Sequence, residues 1–503
     1  SGQSDLLSPY AGQDPMYAGF NIQGYQTDTG SHQQFLRVQG PQLHPLPPDL
    51  TLEQAGSYVL NLGTITRALF TTLAIEPRRT IFVEGAATGT GLEALKGAAR
   101  SGLTAIGLVS SRARAGFVKS QGGAGAIDRK DPRWAKALTP VPAGTEAIAA
   151  WVRAGEPICE AFRAQAGGRL ADYAVSHAGQ ESFPRSFQLL ADGGTLTFYG
   201  ATSGYWFSFV GKPGSASPED MLRRARLSGG EAVLLYYGVG ESGRGSGAEA
   251  LLDPVGLEAI EAIRAMGARL VVATATDAQR EFVQSLGFGD AVRGVVSLED
   301  LARREGDDFE WPDALPAMPD PKRETEAFKE AVRRYQDRTM KPFGGAIGRY
   351  LRSADNPRGY PDLVFERAGH DALAASTSLV KPHTGRVVYC EDMAGRRYTF
   401  YAPQVWMRQR RGLMPGATIK GTHLCNAFEV TRMNDMIAAG QLEVSPPTVV
   451  PWAELPAAHQ AMWDNTHAGA NYVLNHALPR TGLRNRDELF QEWAARSGGE
   501  GTP

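Results

Sequence analysis

Apolar positions along this chain fall into short solid runs, two of them closed by glycine-rich turns, with stretches of helical period between them. Arg79–Glu84 (RTIFVE) reads as a buried strand. It runs into Gly85-Ala86-Ala87-Thr88-Gly89-Thr90-Gly91 and then LEALKGAARSG, where apolar residues recur three and four apart. Thr104–Val109 (TAIGLV) is the next predicted strand, so the order is strand, helix, strand, a unit of parallel sheet. A second start of the same kind, Glu231–Tyr237 (EAVLLYY), enters a longer turn, GVGESGRGSG. Asp49–Thr72 has helical period, and Thr51 and Gln54 are spaced as a capping box. Residues 1–48 are rich in Gly, Pro and Gln with short alternating stretches such as His32–Val38, which predicts hairpins and turns.

The two starts head a longer repeat. Ala115–Ser120 (AGFVKS) is answered by Arg280–Ser285 (REFVQS), Trp134 by Trp311, and Thr145-Glu146-Ala147 by Thr325-Glu326-Ala327. Asp172–Val175 followed by Ala178-Gly179 is answered by Asp362–Phe365 followed by Ala368-Gly369, and Gly194–Thr197 by Gly385–Val388. Any two Rossmann units share a strand-and-helix rhythm, but the order and spacing of these matches favour duplication. The expected fold class is therefore α/β, two Rossmann-type units in tandem. The seam is expected in Val210–Gly230, a Gly/Ser/Pro-rich link with one helical piece, SPEDMLRRARL.

A strand–glycine turn–helix junction presents unpaired N–H groups and a partial positive charge, and glycines let the backbone approach a pyrophosphate. Gly85, Ala86, Ala87, Thr88, Gly89, Thr90 and Gly91 are the candidate pyrophosphate turn. The next strand ends Val109-Ser110-Ser111-Arg112-Ala113-Arg114, without the acid that holds the ribose 2′-OH of NAD. Hydroxyls and the guanidinium groups of Arg112 and Arg114 suit a 2′-phosphate instead, which predicts NADPH. Arg129, with Lys130, follows the next strand and could extend the basic patch. The second turn carries Glu241 and Arg244, and a carboxylate repels a pyrophosphate, so the second unit is expected to bind no dinucleotide.

Composition narrows the picture. The 503 residues suit about two to four domains. Fifty-two basic residues nearly cancel 54 acidic ones, which points away from nucleic acid. Three scattered cysteines, Cys159, Cys390 and Cys425, form no disulfide framework or metal-ligand spacing, so no metal is expected. No apolar run approaches the ~20 residues of a membrane span, and there is no secretory signal; a cytoplasmic setting is expected. The chain opens on SGQSDLL without Met, which reads as part of a longer polypeptide.

Several segments stand in a familiar order: Gly24-Tyr25-Gln26-Thr27, the GAATGTG turn, Val109-Ser110-Ser111, His177-Ala178-Gly179, Gly200–Tyr205 (GATSGY), Trp406-Met407, Gly421-Thr422-His423 with Asn426, and Gly482-Leu483 with Arg486-Asp487-Glu488. The chain thereby resembles the medium-chain dehydrogenase/reductase superfamily, and within it the crotonyl-CoA carboxylase/reductase group of enoyl-CoA reductases. The second Rossmann unit departs from ordinary members and points to the acrylyl-CoA reductase region of the fused propionyl-CoA synthases. The resemblance implies a GroES-like catalytic domain, here only partial, from residues 1–48 and 441–503. Around it the expected divisions are an NADPH-binding unit at 49–210, a linker at 211–230 and a second unit at 231–440. It also implies fused upstream domains, an enoyl-CoA thioester substrate, and a homodimer, or a pseudo-dimer in which the second unit imitates a partner's Rossmann sheet.

The resemblance places Tyr25, Gln26, Asn61 and His423 in the catalytic set, and adds Thr64, His177, Thr202 and Ser203 to the cofactor set. Carboxylating members carry Phe-Glu where this chain has Tyr25-Gln26. An amide can neither accept a proton nor carry the anionic charge of that Glu, so reduction with protonation is expected in place of carboxylation. His423 could equally serve as a core histidine, and Thr64 and Ser203 as helix-cap or turn residues. A true carboxylase/reductase, a quinone or alcohol reductase, and a non-catalytic Rossmann scaffold remain as alternatives.

Overall fold

A computed structural model describes residues 2–3, 21–24, 27–32, 36–214, 216–239, 251–311, 319, 324–368, 372–390, 395–406, 410–464, 466–467 and 471–475. The chain divides into two compact units, Ser1–Asp128 with His423–Pro503, and Arg129–Thr422.

In the first unit Thr51 and Gln54 form the expected capping box, which starts a helical turn Leu52–Ala55. Helix α1 (Tyr58–Thr66) follows and runs on as a π-helix over Arg67–Leu73. Strand β1 (Thr80–Val83), helix α2 (Gly89–Arg100), strand β2 (Thr104–Val109), helix α3 (Arg112–Ser120) and strand β3 (Gly125–Asp128) make a parallel three-stranded sheet, β1 beside β2 and β2 beside β3. All four residues of β1 are buried, as a solid apolar run requires. Leu50, Tyr58 and Leu62 pack with Val430, Met433, Leu442 and Val444, so the late helix Ala427–Ala438 shares the core of α1. Of the segments assigned to a GroES-like part, two short pairs are described. Gly2–Gln3 lies antiparallel to Asn21–Ile22, and Thr448–Pro451 parallel to Tyr472–Asn475. Tyr25 and Gln26 lie outside the described residues.

The second unit is built on nine strands. They are β4 (Ala171–Ser176), β5 (Leu190–Phe198), β7 (Ala232–Tyr237), β8 (Arg269–Thr274), β9 (Val292–Ser297), β10 (Leu363–Glu366), β11 (Arg386–Tyr389), β13 (Arg411–Met414) and β14 (Ala417–Gly421). A separate antiparallel pair, β6 (Trp206–Val210) with β12 (Arg397–Tyr401), sits beside them. The sheet order is β9-β8-β7-β10-β11-β13-β14-β5-β4. Six of these, β9-β8-β7-β10-β11-β13, follow the 3-2-1-4-5-6 order of a complete Rossmann unit. Every pairing in the sheet is parallel except β13 with β14, which turns back at Pro415-Gly416.

Strand β14 pairs with β5, not with any strand of the repeat that precedes it, apart from its hairpin partner. The two copies are therefore interleaved: the second copy stands between β5 and β14 of the first. The sequence matches find their counterparts. Asp172–Val175 and Asp362–Phe365 lie in β4 and β10, and Gly194–Thr197 and Gly385–Val388 run along β5 and β11. Thr145 and Thr325 each open a helix. The β6–β12 pair covers a cluster of Phe183, Phe198, Phe207 and Phe400, with ring centroids 4.6–5.8 Å apart. Among the described residues no helix is long and apolar enough to cross a membrane.

Candidate cofactor-binding site

The glycine turn after β1 is shaped by three local constraints. Gly85 sits at φ +59, a left-handed conformation that favours glycine. The Thr88 N–H and hydroxyl both donate to the Gly85 carbonyl at 2.8 Å, and the Thr88 hydroxyl accepts the Gly91 N–H at 3.3 Å. Thr88 is thus the N-cap of α2. A Cβ on Gly91 would run into the Gly85 carbonyl, so only glycine closes the turn this tightly. Ala86 and Ala87 are buried, and Ala86 packs where Gly107 of β2 leaves room. The first turn of α2 carries no acid, so its partial positive charge is uncompensated by side chains of that turn.

Asn61 lies against that turn. Its Oδ1 accepts from the Thr90 hydroxyl at 2.8 Å, and its Nδ2 donates to Asn471 Oδ1 at 2.7 Å. Both ends of the amide are engaged, which makes Asn61 a positioning group for the start of α2. The Thr64 hydroxyl donates to the Leu60 carbonyl of its own helix at 2.6 Å. Arg67, buried, donates through Nε to Glu429 at 2.7 Å and through Nη1 to the His423 carbonyl at 3.3 Å. The Thr71 hydroxyl donates to the other oxygen of Glu429 at 2.7 Å. Glu429 also closes a capping box with Asn426, so the half-buried His423 leads into a segment pinned at both ends. Arg67, Glu429 and Asn471 were not singled out from sequence; the Asn426–Glu429 capping-box spacing is a local signal for Glu429, and Arg67 and Asn471 carry none.

At the end of β2, Ser111 caps α3 by accepting the Arg114 N–H at 3.3 Å, and Arg114 Nη1 donates to Ser110 Oγ at 2.8 Å. Two hydroxyls and a guanidinium therefore stand together there, with Arg112 exposed beside them. The remaining candidates belong to the other unit. Arg129 is exposed. The His177 ring stacks on Tyr199 with centroids 5.5 Å apart. The Thr202 hydroxyl and the Ser203 N–H both donate to the Ala178 carbonyl, at 2.9 and 2.8 Å, and Ser203 Oγ accepts the Glu181 N–H at 3.3 Å. The loops leaving β4 and β5 are thereby laced together, bringing His177, Thr202 and Ser203 into one neighbourhood.

The second copy's equivalent turn ends differently. Glu241 and Arg244 lie outside the described residues, but the helix that follows, α4 (Pro254–Ala265), is capped by Asp253. Its carboxylate accepts the Gly256 N–H at 2.9 Å and the Gly238 N–H at 3.2 Å. Arg367 pairs with it in a two-pronged contact at 2.7 and 3.1 Å, both side chains buried. A protein carboxylate and its counter-charge thus hold the helix start that a pyrophosphate would occupy.

Residues 331–470 match the model of the zinc-binding dehydrogenase family. Among the described residues no group of three or more His, Cys, Asp or Glu side chains could hold a metal ion, so they do not fit the zinc in that description. The chain is 33% identical over 237 residues to the crotonyl-CoA carboxylase/reductase of Cereibacter sphaeroides, covering 47% of each. It is 31% identical over 211 residues to the crotonyl-CoA reductase of Streptomyces collinus, covering 41% of this chain and 45% of that one. The chain thus spans about half the length of the curated relatives it matches. A solved crotonyl-CoA carboxylase/reductase aligns at 18% identity and TM-score 0.49, over 98% of this chain and 69% of its own. Over about half of its length, then, the chain is similar in sequence to crotonyl-CoA carboxylase/reductases and crotonyl-CoA reductases.

Proposed function

We propose that this chain is the reductase part of an NADPH-dependent enzyme that converts a short-chain enoyl-CoA, acrylyl-CoA, to propionyl-CoA, within a fused polypeptide of the propionyl-CoA synthase kind. The observation that carries the reading is the pairing of an acid-free, Thr88-capped glycine turn with a strand end made of Ser110, Ser111 and Arg114. NADPH, when bound, supplies the hydride for the β-carbon of the enoyl thioester. The start of α2 would hold the pyrophosphate, with Thr90 steadied by Asn61, and Ser111 and Arg114 would take the 2′-phosphate. His177, Thr202 and Ser203 lie on the loops assigned to the cofactor, and Arg129 is assigned to it from its place in the sequence.

Asn61 acts by positioning, and His423, whose carbonyl is held by Arg67, is the group assigned to the reacting carbons. Gln26 stands where carboxylating members carry Glu, so the α-carbon takes a proton. The second copy takes no dinucleotide, because Asp253 already fills its helix start. Reductive carboxylation is the second reading, favoured by the name of the Cereibacter relative. NADPH oxidation by the complete reductase, with acrylyl-CoA and crotonyl-CoA and with or without bicarbonate, tests both. Turnover to propionyl-CoA independent of bicarbonate is expected. A product heavier by one carbon dioxide would select the second reading, and no turnover with either thioester would sink both.

A further inference from the structure

The compact unit Arg129–Thr422 holds a cleft of about 560 Å³ that the reductase reading does not use. Pro361 and Pro382 line it just before β10 and β11 begin, whereas Gly238 follows the opposite end of the parallel neighbour β7. The cleft is therefore at the other end of the sheet from the Asp253-filled turn. Its volume lies within the range of about 300–1,000 Å³ usual for small-molecule sites.

Four cationic residues line the cleft, Lys341, Arg352, Arg358 and Arg410, and no carboxylate is among the lining residues described. Lys341 is paired with Asp337, and the buried Arg410 donates to the carbonyl and side-chain oxygen of Gln404 at 3.0 and 3.3 Å. One wall is aromatic. Trp206 and Tyr401 are direct partners across β6 and β12, with ring centroids 5.1 Å apart, and Tyr335 meets Trp206 edge-on at 6.1 Å. The Trp206 indole nitrogen is buried and has no acceptor among the described residues.

The loop that carries two of the arginines is held by its own hydrogen bonds. The buried Asn356 donates to the carbonyls of Tyr360 at 2.8 Å and Leu351 at 3.3 Å, and accepts the Tyr360 N–H at 3.1 Å. Gly359, at φ +71, presses onto Gly348 of helix α5 (Lys341–Leu351). On the same helix a Cβ at Gly345 would meet nothing within 4 Å.

We propose that this cleft binds a nucleoside phosphate, the flat base against Trp206 and Tyr401 and the phosphates among Lys341, Arg352 and Arg358. Aromatic rings accept a base face-on or edge-on, and guanidinium groups fork onto phosphate oxygens. The same chemistry is offered by a free nucleotide and by the adenosine-phosphate end of a CoA thioester. Calorimetric titration of the full chain with ADP, then with CoA as competitor, separates the two. ADP should bind, and a double variant Arg352→Glu, Arg358→Glu should weaken it at least about tenfold. Gly345→Leu, which fills the cleft without changing charge and suits a helix, should weaken it comparably. Ser111→Ala with Arg114→Ala should leave this binding unchanged. Displacement of ADP by CoA assigns the site to the thioester's tail, and no displacement assigns it to a free nucleotide. The proposal is overturned if wild type binds neither ADP nor CoA. Loss in the charge-reversed variant alone also overturns it, because that is diffuse attraction rather than a pocket. Circular dichroism of each variant checks that the fold is kept.

Discussion

On the proposed reading, cofactor choice turns on Ser111 and Arg114. Hydrogen bonds to charged groups contribute about 1.5–3 kcal/mol each. Ser111→Ala with Arg114→Ala should therefore raise the NADPH Kd by roughly 10- to 100-fold and leave NADH little changed, in a fluorescence titration; equal weakening of both would place the 2′-phosphate elsewhere. Asp253 and Arg367 make the opposite case, a pair spent inside the protein. Asp253→Ala strands a buried guanidinium, and breaking one side of a buried pair costs about 3–5 kcal/mol. Urea unfolding should register that loss, and Arg367→Met in the same chain should recover part of it; no recovery would mean that Asp253 acts mainly as a helix cap. The thiols differ as sharply. Burial pushes Cys159 up to about 11, so it stays protonated at pH 8, while Cys425 is half-buried. Iodoacetamide at pH 8 should modify Cys425 first, and early labelling of Cys159 would contradict this ordering. Ser111 with Arg114 was legible in the sequence because three positions on a helix start suffice to pair them. Asp253 with Arg367 was not, since 114 positions separate the partners and no local pattern joins them.

The glycine turn acts as an element, through backbone placement. Gly91→Val would force its Cβ against the Gly85 carbonyl, and the turn would have to open. NADPH binding should fall by more than about tenfold, a loss that exceeds the cap effect of Thr88→Ala, near 1 kcal/mol in thermal stability. A Gly91→Val protein that binds NADPH normally would remove this turn from the site. Elements of this kind read well from sequence. Arg79–Glu84 contains β1, Glu231–Tyr237 contains β7, and Thr104–Val109 coincides with β2, because each is a solid apolar run stopped by a turn. The Thr51–Gln54 box was legible for the same reason: its signal spans four residues. The π-helix over Arg67–Leu73 was not, since its period departs from 3.6 without any marker residue. Strand β14 was assigned to the second copy on chain order alone; its half-buried alternation does not say which neighbour it takes.

At the scale of the molecule, the duplication is an interleaving, and its centre is the antiparallel β13–β14 turn at Pro415-Gly416. Strand β13 completes the second copy and β14 pairs onward to β5, so the sheet crosses from one copy to the other through a single hairpin. Amide exchange at β13 and β14 should accordingly stay equally slow across about a hundredfold dilution of the protein, unlike an edge shared by separate subunits. Faster exchange on dilution would show that the junction depends on a second chain. Six aligned segments revealed two copies, but insertion of one inside the other is a property of pairing, which strand rhythm does not encode. The Pro415-Gly416 turn has one more consequence. Two edges tethered by a tight turn meet at an effective concentration on the order of millimolar or above, whatever the abundance of the protein. Association thus ceases to be a selective demand on the second copy's catalytic apparatus. The helix start of that copy can be held by Asp253 and Arg367, and its strands keep their place in the sheet, without the first copy ever losing its neighbour.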